Sequence, residues 1–173
     1  MLTEIRTGTE RRFHPPFLTA SGDLSHHIEA LPSPYAAQLG PEGRTMVLSG
    51  TPWEQIGGYC RALRRGNRIW VAGTTATHGD RHIGGRDPAA QTHFVIDKVE
   101  GAIQSLGGRL EDVVRTRVFI RSLSDWEPVA RAHGTRFAAI RPVNTLVQAA
   151  LVGDEHLVEL EAEAVVEIDG GNA

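Results

Sequence analysis

Hydrophobic and polar positions alternate with two distinct periods along this chain, and the changes of period mark its elements. From Leu157 to Val166 the period is two: Leu160, Ala162, Ala164 and Val166 share one parity, while Glu159, Glu161, Glu163 and Glu167 take the other. That is the pattern of a half-buried strand with one carboxylate-lined face. The apolar run Thr145 to Val152 precedes it across Gly153-Asp154-Glu155-His156, a polar break that reads as a turn between strands. Val113 to Leu123 alternates too, with Val114, Thr116, Val118 and Ile120 opposite Arg115, Arg117, Phe119 and Arg121. Further upstream, Arg44 to Ser49, Tyr59 to Leu63 and Arg68 to Ala76 are short strands punctuated by Gly50-Thr51-Pro52 and Arg65-Gly66-Asn67. Such close spacing predicts an antiparallel meander. Gly73 inside the third strand predicts a bulge or a close backbone approach to a ligand.

Between these strands the period lengthens. Asp87-Pro88 is a helix start, an N-cap residue followed by proline at the first helical position. Thr92, Val95, Ile96, Val99, Ile103 and Leu106 recur at three- and four-residue spacing, and Gly107-Gly108 ends the run. Phe94 falls off this stripe and reads as an exposed aromatic. A second helix carries Trp126, Val129, Ala130, His133 and Phe137, with Ser124 and Glu127 spaced as a capping box and Arg141-Pro142 as its end. The order βββαβαββ predicts an α+β domain in which right-handed crossovers set two helices on one face of a mixed six-stranded sheet. The opposite face carries Arg115, Arg117, Arg121, Glu159, Glu161 and Glu163. It is either wet or a subunit interface in which arginines pair with glutamates.

Composition narrows the function classes. The 173 residues suit one domain, and the formal net charge of −3 argues against a general nucleic-acid binder. Cys60 is the sole cysteine, which excludes an intrachain disulfide framework and a cysteine-built zinc site and points to a reducing, cytoplasmic setting. No run approaches the roughly 18 apolar residues of a membrane span, and no signal segment opens the chain. Residues 1–43 hold five of the nine prolines and read as an N-terminal arm ahead of a domain at 44–168 and a short tail at 169–173. Histidines at 14, 26 and 27 lack a helical partner, and His78 and His82, spaced i, i+4, sit among Gly79, Gly84 and Gly85, so no metal site is expected. Glu159 keeps two readings on pattern alone, a solvated carboxylate or one that enters a pocket and handles a proton.

The element order and several strings resemble the Rid family, also called YjgF or L-PSP. These are Gly58-Tyr59-Cys60-Arg61-Ala62, Val71-Ala72-Gly73-Thr74, Ala90-Gln91-Thr92, Leu110-Glu111-Asp112-Val113-Val114 and Val158-Glu159-Leu160-Glu161-Ala162. The resemblance implies a chorismate-mutase-like fold, a homotrimer with ligand clefts between subunits, and hydrolysis of imine or enamine metabolites without a cofactor. It aligns Glu159 with the glutamate that positions the hydrolytic water and Tyr59 with the cleft tyrosine. Cys60 takes the neighbouring serine position, Gly73 and Thr74 flank the ligand, and Asn144 and Thr145 fall on the substrate-binding string. In the family's deaminases that string carries a carboxylate-clamping arginine. Here it is Pro142-Val143-Asn144-Thr145, with Asn144 in the arginine's place, and Arg141 three residues away. A neutral amide cannot supply the charged bidentate fork, so the resemblance leaves two classes open: an imine or enamine hydrolase, or related tautomerase, of altered specificity, and a non-catalytic trimer that binds a metabolite. The historical ribonuclease label has little support in a net-acidic chain without a basic and aromatic strand platform.

Overall fold

The computed structural model describes residues 35–167. Expectations for the histidines at 14, 26 and 27, for most of the 1–43 arm and for the 169–173 tail fall outside those residues. The chain begins with β1 (Ala37–Leu39) and β2 (Thr45–Val47), makes a short helix α1 (Pro52–Gly57), and returns as β3 (Ala62–Arg65) and β4 (Arg68–Thr75). A small ribbon of β5 (Thr77–His78) and β6 (Arg81–His82) leads into the long helix α2 (Pro88–Ser105). Then follow β7 (Val113–Ile120), α3 (Trp126–Phe137), β8 (Val143–Gln148) and β9 (Val158–Val165).

The main sheet has seven strands in the order β1-β2-β3-β4-β9-β7-β8. Neighbours are antiparallel except β7 and β8, the pair joined through α3. The predicted order survives with three additions, β1, α1 and the β5–β6 ribbon, each too short to leave a readable period. The sheet is seven-stranded rather than six because β1 pairs with β2 ahead of Arg44, inside the stretch expected to be an arm. The polar break at 153–156 joins strands that are not neighbours: β9 lies between β4 and β7, while β8 takes the edge. Burial decides this placement. Val158, Leu160, Ala162 and Ala164 are all at most 3% exposed, so β9 needs cover along its whole apolar face, and only a central position beneath the helices supplies it. The crossing from β8 to β9 is anchored by Arg121, whose guanidinium donates to the carbonyls of His156 (2.6 Å), Leu151 (3.0 Å) and Gly153.

Helix α2 starts as its sequence dictates, with Asp87 Oδ1 accepting from the amides of Ala89 (2.9 Å) and Ala90 (3.1 Å). It packs on β4, β9 and α3, burying Val95, Ile96, Val99 and Ile103 completely against Ile69, Val118 and Leu160. Two helix expectations are corrected. Phe94 is 6% exposed, not a surface aromatic, because the β5–β6 ribbon folds over its side of α2 and sets His78 edge-on to the ring at 6.3 Å. The Ser124–Glu127 capping box does not form. A 3-10 turn at Leu123–Asp125 delays α3 to Trp126, Ser122 caps that turn, and Glu127 pairs with Arg131 at 2.6 Å instead. Trp126, expected on the apolar side of α3, is accordingly 55% exposed.

Candidate active site

Strand parity sorts the polar residues of the open sheet face. In the β7–β9 ladder Arg115 stands opposite Glu163, Arg117 opposite Glu161, and Phe119 opposite Glu159. Arg117 pairs with Glu161 at 2.6 Å and Arg115 with Glu163 at 3.8 Å. The arginines and glutamates that could have joined two subunits are thus paired within one sheet, each worth a few tenths of a kcal/mol, on the order of a cross-strand surface pair. Glu159 meets an aromatic ring where the others meet a cation. Among the described residues no hydrogen bond or ion pair holds its carboxylate.

What lies beneath Glu159 instead is bare backbone. On its other side β9 pairs with β4, and the register shifts between Val71 and Thr74, so Ala72 and Gly73 form a bulge. A Cβ placed on Gly73 would collide with Glu159 Oε1. The missing side chain lets the carboxylate lie against the strand. Burial pushes the Glu159 carboxyl up from the ordinary glutamate range, the neighbouring Glu161 adds to the rise, and the Arg61 guanidinium opposes it. Such a group, half-buried and shifted toward neutral pH, fits proton transfer better than a fully solvated carboxylate does.

The bulge is held by the residue that immediately precedes β3. Arg61 is 7% exposed. Its Nη1 donates to the carbonyls of Gly73 (2.7 Å) and Ala72 (3.3 Å) and to Thr74 Oγ1 (2.8 Å). Thr74, itself buried, returns a bond to the Ala72 carbonyl at 2.7 Å. The Thr74 side chain therefore locks the bulge rather than facing a ligand. Below the same end of β4, Lys98 of α2 donates to the carbonyls of Thr75 (2.9 Å) and Thr77 (2.6 Å), and burial together with Arg61 lowers its ammonium to about 8.

Tyr59 and Cys60 lead directly into β3 and so reach this end of the sheet. Gly58, in the left-handed conformation at φ +66°, turns the chain out of α1, and Tyr59 emerges 41% exposed, available to stack or donate. Cys60 is half-buried, and burial pushes its thiol up, which disfavours the thiolate a nucleophile requires. Asn144 and Thr145 take opposite faces. Thr145 pairs in register with Arg117 on the open face, whereas Asn144 pairs with Thr116 on the helix-bearing face. There Asn144 Nδ2 donates to Thr116 Oγ1 (2.9 Å), which also contacts His133 Nε2 (2.9 Å). Asn144 and Glu159 therefore do not meet within one protomer. Arg141 does not approach Glu159 either: at φ +53° its chain turns back on α3, its Nε bonding the Ala138 carbonyl at 3.3 Å. His78 and His82 sit on opposite faces of the ribbon, since Thr77 and not His78 is the register partner of His82.

A family model described as Endoribonuclease L-PSP matches residues 49–166. The chain belongs to this family, also named YjgF or Rid. An uncharacterized protein of Streptomyces coelicolor is 42% identical over 119 residues, 68% of this chain and 89% of that protein. The 3-aminoacrylate deaminase RutC of Acinetobacter baylyi is 29% identical over 120 residues, covering 68% of this chain and 93% of RutC. Among solved structures, a Mycobacterium tuberculosis member of the YjgF/YER057c/UK114 family superposes with a TM-score of 0.64 at 44% identity, over 71% of this chain and 99% of that one. The Escherichia coli YjgF gene product, at 23% identity and a TM-score of 0.58, shares the fold. The chorismate-mutase-like α+β architecture expected from the sequence is thus the observed one. Among the described residues no helix is long and apolar enough to cross a membrane.

Sequence reasoning missed Arg61 and Lys98 as members of this neighbourhood. Arg61 lies between Cys60 and Ala62, and Lys98 between Asp97 and Val99, local patterns shared with any exposed lysine or arginine.

Proposed function

We propose that this Rid-family chain hydrolyses an imine or enamine metabolite, releasing ammonia, in clefts between the subunits of a homotrimer. Glu159 takes a proton from water as the water oxygen attacks the imine carbon and hands it to the nitrogen; the hydroxyl proton of the resulting carbinolamine then passes through Glu159 to the same nitrogen, which leaves as ammonia as the carbonyl forms. The observation that carries this reading is the Glu159 carboxylate: without a partner among the described residues where its neighbours on β9 are paired, seated on the Gly73 bulge, and raised by burial above the ordinary glutamate range. Similarity to a 3-aminoacrylate deaminase supports the reaction class. The parity of β8 supports the assembly: Asn144 and Glu159 lie on opposite faces of one sheet, so a ligand touching both must lie between two copies.

The substrate is expected to differ from that of the deaminases with an arginine at this place. Exchanging a charge-assisted clamp for an amide forfeits on the order of 2–5 kcal/mol for a carboxylate ligand, about 30- to several-thousand-fold in binding. Tyr59, Asn144 and Thr145 would position a small polar metabolite without that clamp. The reading is tested by ammonia release from freshly generated 2-aminoacrylate and longer enamine acids, with Glu159→Ala and Asn144→Arg beside the native protein. Native turnover lost in Glu159→Ala supports a hydrolase. Activity that appears only in Asn144→Arg supports the same scaffold tuned to a ligand lacking the carboxylate. Binding of a metabolite without turnover in any form overturns the catalytic reading in favour of a sensing or sequestering trimer.

A further inference from the structure

Arg61 is a buried cation with no carboxylate within ion-pair distance among the described residues, an expensive arrangement unless its charge serves something else. Glu54 is also buried nearby, but its carboxylate is spoken for by the Ser49 amide and hydroxyl and the Gly50 amide. Arg61 Nε is buried without an acceptor among the described residues, so the fork is not placed to satisfy its own donors. It is placed to grip one segment. Nη1 gathers the two carbonyls of the bulge and the Thr74 hydroxyl, while the Arg61 backbone carbonyl accepts from the Ala72 amide at 3.0 Å. The gripped segment is the bare backbone on which the Glu159 carboxylate rests.

We propose that Arg61 is a positioning residue for Glu159: it fixes the Ala72–Gly73–Thr74 bulge that seats the carboxylate and is the cation that balances its charge. The proposal rests on the reading of Glu159 as the general base. The charged groups acting on Glu159 are Glu161, on the same face and already paired to Arg117, and Arg61. The cross-strand neighbour Phe119 is neutral. Arg61 therefore supplies the attraction that opposes the effect of burial and of Glu161 on the carboxylate. Losing that charge raises the Glu159 titration midpoint and carries the acid limb of the activity profile up with it, because a general base works only when deprotonated.

The experiment follows the Glu159 carboxyl carbon by 13C NMR through a pH titration of the full chain and, in parallel, records kcat and KM against pH for ammonia release. Arg61→Gln is expected to raise the midpoint and to cut turnover at neutral pH about tenfold or more, with recovery at higher pH. Arg61→Lys keeps a charge but not a fork. It is expected to give a smaller rise, with kcat about tenfold lower and KM within about twofold. Thermal unfolding verifies that each variant is folded, and Arg61→Lys decides alone if Arg61→Gln is not. A Glu159 midpoint and pH profile unchanged in the folded variants overturn the proposal. A native chain that titrates as described but releases no ammonia overturns the hydrolase reading instead, and the carboxyl titration still decides the role of Arg61.

Discussion

A Cβ at position 73 would meet Glu159 Oε1, the far end of a flexible side chain, and not backbone. Gly73→Ala should therefore fold with a Tm close to the native value while Glu159 is pushed off its seat. Turnover is expected to fall on the order of 100-fold, the cost of misplacing a catalytic group by about an ångström. Equal losses of stability and activity would show that residue 73 matters to the sheet and not to the site. Glu159→Gln makes the complementary prediction. The folded-state carboxyl titrates above its unfolded value, so the stability that Glu159 contributes is present below the unfolded pKa and lost as pH rises through the folded one. Removing the charge should abolish turnover and raise Tm at neutral pH, with the gain vanishing near pH 4. Thermal scans of both proteins from pH 4 to 8 measure it.

Single side chains also tie whole elements together. Gln91, fully buried on α2, donates from Nε2 to the carbonyls of Gly85 (2.7 Å) and Glu155 (3.0 Å), and its Oε1 accepts from the Leu157 amide (2.9 Å). It joins the helix start, the loop before it and the entry to β9. Gln91→Ala leaves the buried Leu157 amide without its acceptor and removes two part-buried bonds, and should cost about 1–3 kcal/mol, read from the midpoint of urea unfolding. Helix α3 is tied to the sheet through His133 and Thr116. Burial lowers the His133 imidazole below its ordinary value, and His93 and His156 shift the same way. Their stability is complete above the unfolded value of about 6.5 and lost as pH falls below it, because the unfolded chain takes the proton first. Tm should drop between pH 7 and 5, and less steeply in His133→Gln. An identical slope in that variant would remove His133 from the account.

At the scale of the molecule, one sheet face is covered by helices and the other is open, carrying Trp70 (37% exposed), Val143 (63%) and Val147 (44%) beside the Arg–Glu ladder. An apolar surface of this kind suits a subunit interface. If the protein assembles through it, light scattering should report three copies. Val147→Lys should then yield a smaller species that stays folded by circular dichroism yet loses turnover, since each cleft would lack a neighbour. A monomeric native protein with full activity would refute the intersubunit site.

The two periods of apolar residues, the Asp87-Pro88 helix start and the Gly107 stop were readable from the chain because each depends on neighbours within a few residues. The bulge at Gly73 was legible for the same reason, as a glycine inside an otherwise regular strand. The resemblance carried the family and nominated Glu159 and Asn144. Tertiary structure alone decided that β9 enters between β4 and β7, because strand order depends on which apolar face most needs cover, and pattern says nothing of rank. It alone placed Phe119 rather than an arginine across from Glu159, since cross-strand register is fixed by pairing at long range. It alone brought Arg61 under the bulge, buried Phe94 beneath a ribbon too short to predict, and turned Asn144 to the face opposite Glu159. Period two states that neighbouring residues alternate; which face is covered, and by what, is settled only when strands and helices distant in sequence pack together.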